Sequence, residues 1–463
     1  MVKPHVLLIS APGQGHVIPA TELGRQLVAQ GSNVTIINTE AIHKAIVTNW
    51  LKNDDCEAMM QMVSIPDGLE PWEDRNDLGK LLGSCQKSIL SELEQLIETI
   101  NKQNDNKVTC LIADFWMASA LQVAKKMGIG RAIFCPASAA TLATMMSIPK
   151  LINDGFINNN GIPARNSEMI RLTEAMPPIK PENLVWASFR DSNSIEVHFQ
   201  NHVKFVESAT TAEWFICNSA VELEPAAFSM FPEWLPIGPL LASNRLADQV
   251  GHLWAEDSSC LEWLDQQPAC SVLYIAFGSI TTINQTQFEE LALGLELTNQ
   301  PFLWVMRPGL TKETTTVFPD GYVDRVGPRG KIVSWAPQQK VLAHPSVACF
   351  MTHCGWNSTL EGVTNGLPFL CWPYFGDQIY NETYICDVWK TGLRLEEDKT
   401  GIITREGIKS KVEQLLSDKT FKSKAVDMKE KVVTSAAKGG CSHSNLTKFV
   451  DWIHGKDAAT NDH

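Results

Sequence analysis

Short apolar runs alternate with longer amphipathic stretches along most of the chain, and this spacing predicts alternating strands and helices. His5–Ser10 is the first apolar run. Leu23 and Leu27 then stand four apart on one face of a helix that Gly31 closes, and Val34–Asn38 forms the next strand, completing a βαβ unit. A second unit follows, with strand Val108–Ala113, helix Ala118–Met127 closed by Gly128, and strand Ala132–Cys135. Parallel strands joined by helices imply a doubly wound α/β sheet, whose ligands sit beyond the carboxyl ends of the strands. From Asn153 to Asp191 the pattern dissolves into polar residues, Gly155, Gly161 and prolines at 163, 177, 178 and 181, which predicts a loop-rich excursion. A helix over 195–209 and a strand Trp214–Asn218 restore the pattern up to Pro236-Ile-Gly-Pro239.

Residues 241–258 lack periodicity and form the linker candidate. Beyond them the series begins again with strand Ser271–Phe277, helix Thr286–Thr298, strands Phe302–Met306, Lys331–Val333 and Val347–Met351, helix Asn357–Asn365 and strand Phe369–Trp372. Helices alone follow residue 404, up to about Ile453. The expected division is a first domain over 1–240, the linker, and a second domain over 259–440.

Composition agrees with two domains, since 463 residues with 44% hydrophobic content exceed one ordinary core. A formal charge of −13 and a pI near 5.4 oppose nucleic-acid binding, which needs clustered basic residues. Any anionic ligand must be captured locally. The 12 cysteines, from Cys56 to Cys441, contain no Cys-x-x-Cys pair and several lie in apolar runs, as expected of reduced thiols in a cytoplasmic protein. Val6–Ile9 is too short for the apolar region of a signal peptide, and no run approaches the ~18–20 apolar residues of a membrane span, so no membrane insertion is expected. A monomer is the expected state.

Chemistry concentrates in one block: Trp335-Ala336-Pro337-Gln338, then His353-Cys354-Gly355-Trp356-Asn357-Ser358, Glu361, Gly366, Pro368, Pro373 and Asp377-Gln378. This block closely resembles the signature box of plant UDP-dependent glycosyltransferases of secondary metabolism, and the resemblance covers essentially the whole chain. It implies the GT-B fold, two Rossmann-like doubly wound domains facing across a cleft, with a C-terminal helix at about 441–456 packing back on the first.

The residue types suit a nucleotide sugar. Trp335 offers a flat apolar face for stacking on a base; Ala336 and Gln338 meet the uracil edge, a role the resemblance implies. Glu361, one helical turn after Asn357 and Ser358, is placed to accept ribose hydroxyls. The strand that breaks at Gly355 into a helix exposes backbone N–H groups suited to a diphosphate, with Asn357, Ser358 and the His353 ring N–H as further donors. Ser279, after the strand Ser271–Phe277, adds another, as in the family. Asp377 and Gln378 hold the hydroxyls of the transferred sugar in the family; Gln378 and Trp356 point to a neutral hexose, glucose first. Cys349, His353 and Cys354 lack the second ligand pair that zinc wants, and no Asp-x-Asp occurs, so neither a metal nor a cofactor is expected.

His16 lies in Pro12-Gly-Gln-Gly-His16-Val-Ile-Pro19, at the switch-point position of the first domain. Its ordinary pKa of ~6.5 suits a general base. Asp114 ends a neighbouring strand and is placed to orient the imidazole or, alternatively, to cap a helix. The resemblance implies a histidine–aspartate dyad at these two positions. Gly13-x-Gly15 lacks the third glycine of a dinucleotide fingerprint, which argues against a nicotinamide oxidoreductase.

Phe115, Trp116, Met145, Trp186 and Phe189 are the candidate acceptor contacts, although aromatic and Met residues at such spacing are more often core. The expected reaction is metal-independent, inverting transfer of a hexose from UDP-glucose or a related UDP-hexose to a hydroxyl of a flavonoid, terpenoid, steroid or phenolic, giving a β-glycoside. A UDP-sugar sensor without turnover is the alternative.

Overall fold

A computed structural model describes residues 3–50, 60–103, 107–164, 168–189, 192–241, 254, 256–311 and 318–455. Cys56 and most of the linker candidate lie outside these. The chain divides into two units, one of residues 1–253 with 434–463, the other of residues 254–433. The first division falls inside the linker candidate, and the second comes a few residues before 440.

The first unit is built on seven parallel strands: β1 (His5–Ile9), β2 (Asn33–Thr39), β3 (Met60–Ile65), β4 (Val108–Asp114), β5 (Gly130–Cys135), β6 (Trp214–Cys217) and β7 (Trp234–Pro236). Their order is β3-β2-β1-β4-β5-β6-β7. The order reverses between β1 and β4, which run in register from Val6 opposite Cys110 to Ile9 opposite Ala113. Strands buried on both faces read as continuous apolar runs, which makes β1, β2, β4, β5 and β6 legible in the sequence. Val6, Leu8, Ile36, Ile112 and Phe134 form a core with Leu23 and Leu27 of the Gln14–Ala29 helix.

The Cys441–Ile453 helix belongs to this unit. Phe449 and Trp452 pack against Trp214, and Asn445 Nδ2 donates to the Pro236 carbonyl at 2.9 Å. Burying that aromatic face anchors a segment more than two hundred residues away in sequence, and at about 25 cal/mol per Å² such rings dominate the local energetics. The excursion after Asn153 contains two antiparallel bridges, Ile157 with Pro163 and Ile170 with Ile179, rather than strands.

The second unit repeats the plan on six parallel strands: β8 (Val272–Ala276), β9 (Phe302–Val305), β10 (Gly330–Val333), β11 (Val347–Thr352), β12 (Phe369–Cys371) and β13 (Gly392–Arg394), ordered β10-β9-β8-β11-β12-β13. Here the reversal lies between β8 and β11, which end side by side at Ala276 opposite Thr352. Leu273, Ile275, Phe288, Trp304, Met351 and Leu370 are among its core. In each unit the crevice at the reversal is where an open α/β sheet presents its ligands.

No described helix is long and apolar enough to cross a membrane. The described cysteines are all unpaired thiols, most of them buried; Cys270 and Cys441 are exposed, contrary to a wholly buried set.

Candidate active site

At the first reversal, His16 projects from the opening turn of the Gln14–Ala29 helix rather than from the loop before it. Its Nδ1 lies 2.8 Å from Asp114 Oδ2, with the carboxylate fully buried and the imidazole 28% exposed. The other carboxylate oxygen, Oδ1, accepts the Trp116 N–H at 3.0 Å. Asp114 therefore caps the short 3₁₀ turn Phe115–Met117 with one oxygen and meets the His16 ring with the other. With Nδ1–H donated to the carboxylate, the lone pair resides on Nε2. Trp116 sets its ring edge-on to His16, with centroids 4.9 Å apart.

The remaining acceptor candidates divide. Phe115, Met145 and Trp186 are completely enclosed: Phe115 packs on Phe205, and Trp186 donates its indole N–H to the Gly161 carbonyl and lies against Phe199 and His202. These three are fully buried in this structure, unlike the exposed contacts expected of them. Trp116 retains 9% exposure, and Phe189 is half-buried and stacked on His198 at 3.8 Å. Periodicity gave no sign of His198, because the signal lies in the partner ring and not in its own sequence neighbours.

At the second reversal, β11 ends at Thr352 and the Trp356–Asn365 helix starts four residues on. The turn passes through Cys354 with φ +64°, a left-handed conformation that non-glycine residues rarely adopt. Its carbonyl is held by Asn381 Nδ2 at 2.9 Å. Gly355, the residue before this helix, has no side chain with which to cap it. By contrast, the Ala139–Met146 helix has its first N–H groups taken by the buried Glu224 carboxylate, at 2.9 and 2.8 Å from the Ala139 and Ala140 nitrogens.

His353 fits between two glycines. A Cβ on Gly278, itself at φ +70°, would lie 2.6 Å from His353 Nε2, and one on Gly355 would lie 2.5 Å away. Desolvation pushes the pKa of the imidazole from 6.5 down to about 4, so the ring is neutral near pH 7. Its Nδ1 lies 3.4 Å from Thr352 Oγ1.

Gln338 also departs from expectation. Its Oε1 accepts the Tyr274 hydroxyl at 3.1 Å, while Nε2 donates to Ser358 Oγ at 2.9 Å and Glu361 Oε2 at 2.7 Å. Both ends of the amide are engaged, so the side chain braces the helix start and is not presented to a base. Gln339 Nε2 holds the second Glu361 oxygen at 3.1 Å. Trp335 and Ala336 lie ahead of Gln338, after β10; Trp335 is half-buried and its ring stands 6.2 Å from that of Trp254. Trp254, inside the linker candidate, was not foreseen there.

Asp377 and Gln378 meet the same region. Asp377 Oδ2 accepts Asn381 Nδ2 at 2.8 Å, and Gln378 Oε1 accepts the Tyr374 and Phe375 N–H groups at 2.9 and 3.3 Å. The Gln378 carbonyl end is occupied, which leaves its NH₂ as the end for a ligand oxygen. Ser279 follows β8 beside Gly278 and is half-buried. No cluster of three metal-ligating side chains occurs among the described residues.

The chain has counterparts among known proteins. Residues 187–431 match the family described as UDP-glucoronosyl and UDP-glucosyl transferase. The chain is 42% identical to UDP-glycosyltransferase 83A1 of Arabidopsis thaliana over 98% of its own length and 97% of the relative. It is 33% identical to flavonol 3-O-glucosyltransferase UGT76E12 of the same plant, covering 97% and 96% of the two chains. Among solved structures, UGT2 of Phytolacca americana, complexed with UDP-2-fluoro-glucose and pterostilbene, superposes with a TM-score of 0.82 at 27% identity, over 98% of this chain and 99% of that one.

Proposed function

The chain belongs to the plant UDP-dependent glycosyltransferases with the GT-B fold, enzymes that move a sugar from a UDP-sugar to a small metabolite, and we propose that it transfers glucose, with inversion and without a metal ion, to a hydroxyl of a small hydrophobic acceptor. Family membership decides for an enzyme over the binding-only alternative. The observation that carries the finer reading is the 2.8 Å bond from His16 Nδ1 to the buried Asp114. It fixes the tautomer whose Nε2 takes a proton, and it offsets the charge the ring then acquires.

His16 Nε2 removes the acceptor hydroxyl proton. The oxygen attacks the anomeric carbon from the face opposite UDP, the bond to the diphosphate oxygen breaks as the new bond forms, and an α-linked donor gives a β-glucoside. Trp335 stacks on the uracil, Ala336 supplies backbone groups to its edge, and Glu361 receives the ribose hydroxyls while Gln338 and Gln339 hold the carboxylate still. Backbone N–H groups at the helix start, with Gly355, Trp356, Asn357, Ser358 and Ser279, take the diphosphate. An arriving dianion favours a second proton on His353, which makes that ring a donor as well. Stabilisation of charge on the leaving group is the usual place for the largest catalytic contribution. Asp377 accepts from sugar hydroxyls and the Gln378 NH₂ donates to one, a pairing suited to glucose.

Trp116 and the Phe189–His198 stack offer flat apolar surface, which favours a planar phenolic or polycyclic alcohol; the flavonol and pterostilbene in the relatives' descriptions are of that kind. Incubation with UDP-glucose, a chelator and a panel of such acceptors should give hexose-bearing products by mass spectrometry from wild type and not from His16→Ala. Turnover that required added divalent metal would exclude the metal-independent scheme.

A further inference from the structure

Arg307 stands just beyond β9 and is 8% exposed. Each of its hydrogen bonds goes to a backbone carbonyl: Nε to Gly278 at 3.3 Å, Nη1 to Pro308 at 3.0 Å, and Nη2 to Thr281. Burial alone shifts its titration, downward from the ordinary arginine value, with no carboxylate contributing, and a guanidinium so placed stays charged. A buried cation balanced only by dipoles is costly unless an anion completes it.

The carbonyls it holds belong to the turn that follows β8. In a trans peptide the C=O and the next N–H point opposite ways. Turning the Gly278 carbonyl onto Arg307 therefore turns the Ser279 N–H away from it, and that N–H makes no hydrogen bond to the described residues. Gly278 abuts His353, so this turn adjoins the helix-start donors. A cation on the carbonyl end also polarises the peptide and strengthens its N–H as a donor.

We propose that Arg307 is a positioning residue for the reaction: it sets the Ser279 N–H toward the diphosphate of the sugar donor and lends it positive charge as UDP departs. This rests on the functional reading above, which puts the diphosphate at Ser279. A strut that merely held the turn would not distinguish a ligand with phosphates from one without.

The test measures affinity for UDP and for uridine by calorimetry, with kcat and the KM for acceptor, in wild type, Arg307→Met, Arg307→Gln and Arg307→Lys, each checked for folding by thermal melting. Loss of one charge-strengthened hydrogen bond lowers the ratio of UDP to uridine affinity by roughly tenfold in the Met and Gln variants. Their kcat falls at least as much with acceptor KM unchanged, and Lys recovers most of both. If Met does not fold, Gln against Lys carries the same comparison. An unchanged ratio in Met or Gln, or equal losses for uridine and UDP, would overturn the role of Arg307. A wild type that neither binds UDP nor transfers glucose would instead overturn the functional reading.

Discussion

Nε2 of His353 lies where an alanine methyl at Gly355 would approach it to 2.5 Å, so the glycine that opens the helix and the histidine before it are sterically coupled. Gly355 has φ −59°, which any residue adopts, and backbone strain is not the reason for glycine there. Gly355→Ala should weaken UDP binding by displacing the imidazole, while the protein still folds. Pairing it with His353→Ala relieves the crowding, so the two effects on UDP affinity should be less than additive in a double-mutant cycle read by calorimetry. Additive losses would mean that the ring moves aside freely.

Asp114→Asn keeps a carbonyl oxygen for the Trp116 N–H but sets an amide N–H against His16, which favours the tautomer with its proton on Nε2. Turnover should fall by about 10²–10⁴-fold. UDP affinity should not change, because its contacts belong to the other unit. Steady-state kinetics beside calorimetry would check both, and parallel losses would show a general disturbance.

Glu361→Gln retains the shape of the brace while removing charge and introducing donors that meet the Gln338 and Gln339 amides unfavourably. Wild type should prefer UDP to 2′-deoxy-UDP by roughly tenfold, the worth of one hydrogen bond to a charged group. The variant should lose most of that preference, as measured by competition for the same site. Undiminished discrimination would place the ribose hydroxyls elsewhere.

Acid stability should report a second histidine. His202 is 2% exposed, and its Nδ1 lies 2.7 Å from the His198 carbonyl; desolvation pushes its pKa from 6.5 down to about 4. Between those values the unfolded chain binds the proton and the folded one does not. Stability is therefore whole above pH 6.5 and declines as pH falls toward 4, by about 1.4 kcal/mol per pH unit for this one group. His202→Phe should flatten the fall in Tm over that window relative to wild type; identical slopes would show that His202 does not titrate as described.

Both sheets were legible because strands buried on two faces leave uninterrupted apolar runs, as at Val6–Ile9 and Val347–Met351. The Leu78–Gln103 helix and β3 are not legible in the same way, the strand because Gln61 and Ser64 interrupt its apolar run and it is only partly buried. The dyad could be placed from its position at the strand ends, and the box from its residue types in order. What spacing cannot show is which polar side chains satisfy one another: Gln338 is drawn to Glu361 and Tyr274, and the Phe115 and Trp186 rings are drawn into the core. Arg307 carried no motif at all, and only the carbonyls around it give it meaning.

The most direct test of inverting glucosyl transfer is the anomeric configuration of the product made from UDP-α-glucose in the presence of chelator, read by proton NMR for wild type and for His16→Ala. A β-glucoside from wild type, lost or slowed by at least 10²-fold in the variant, is the expected result. An α-glucoside, or equal turnover by His16→Ala, would contradict it.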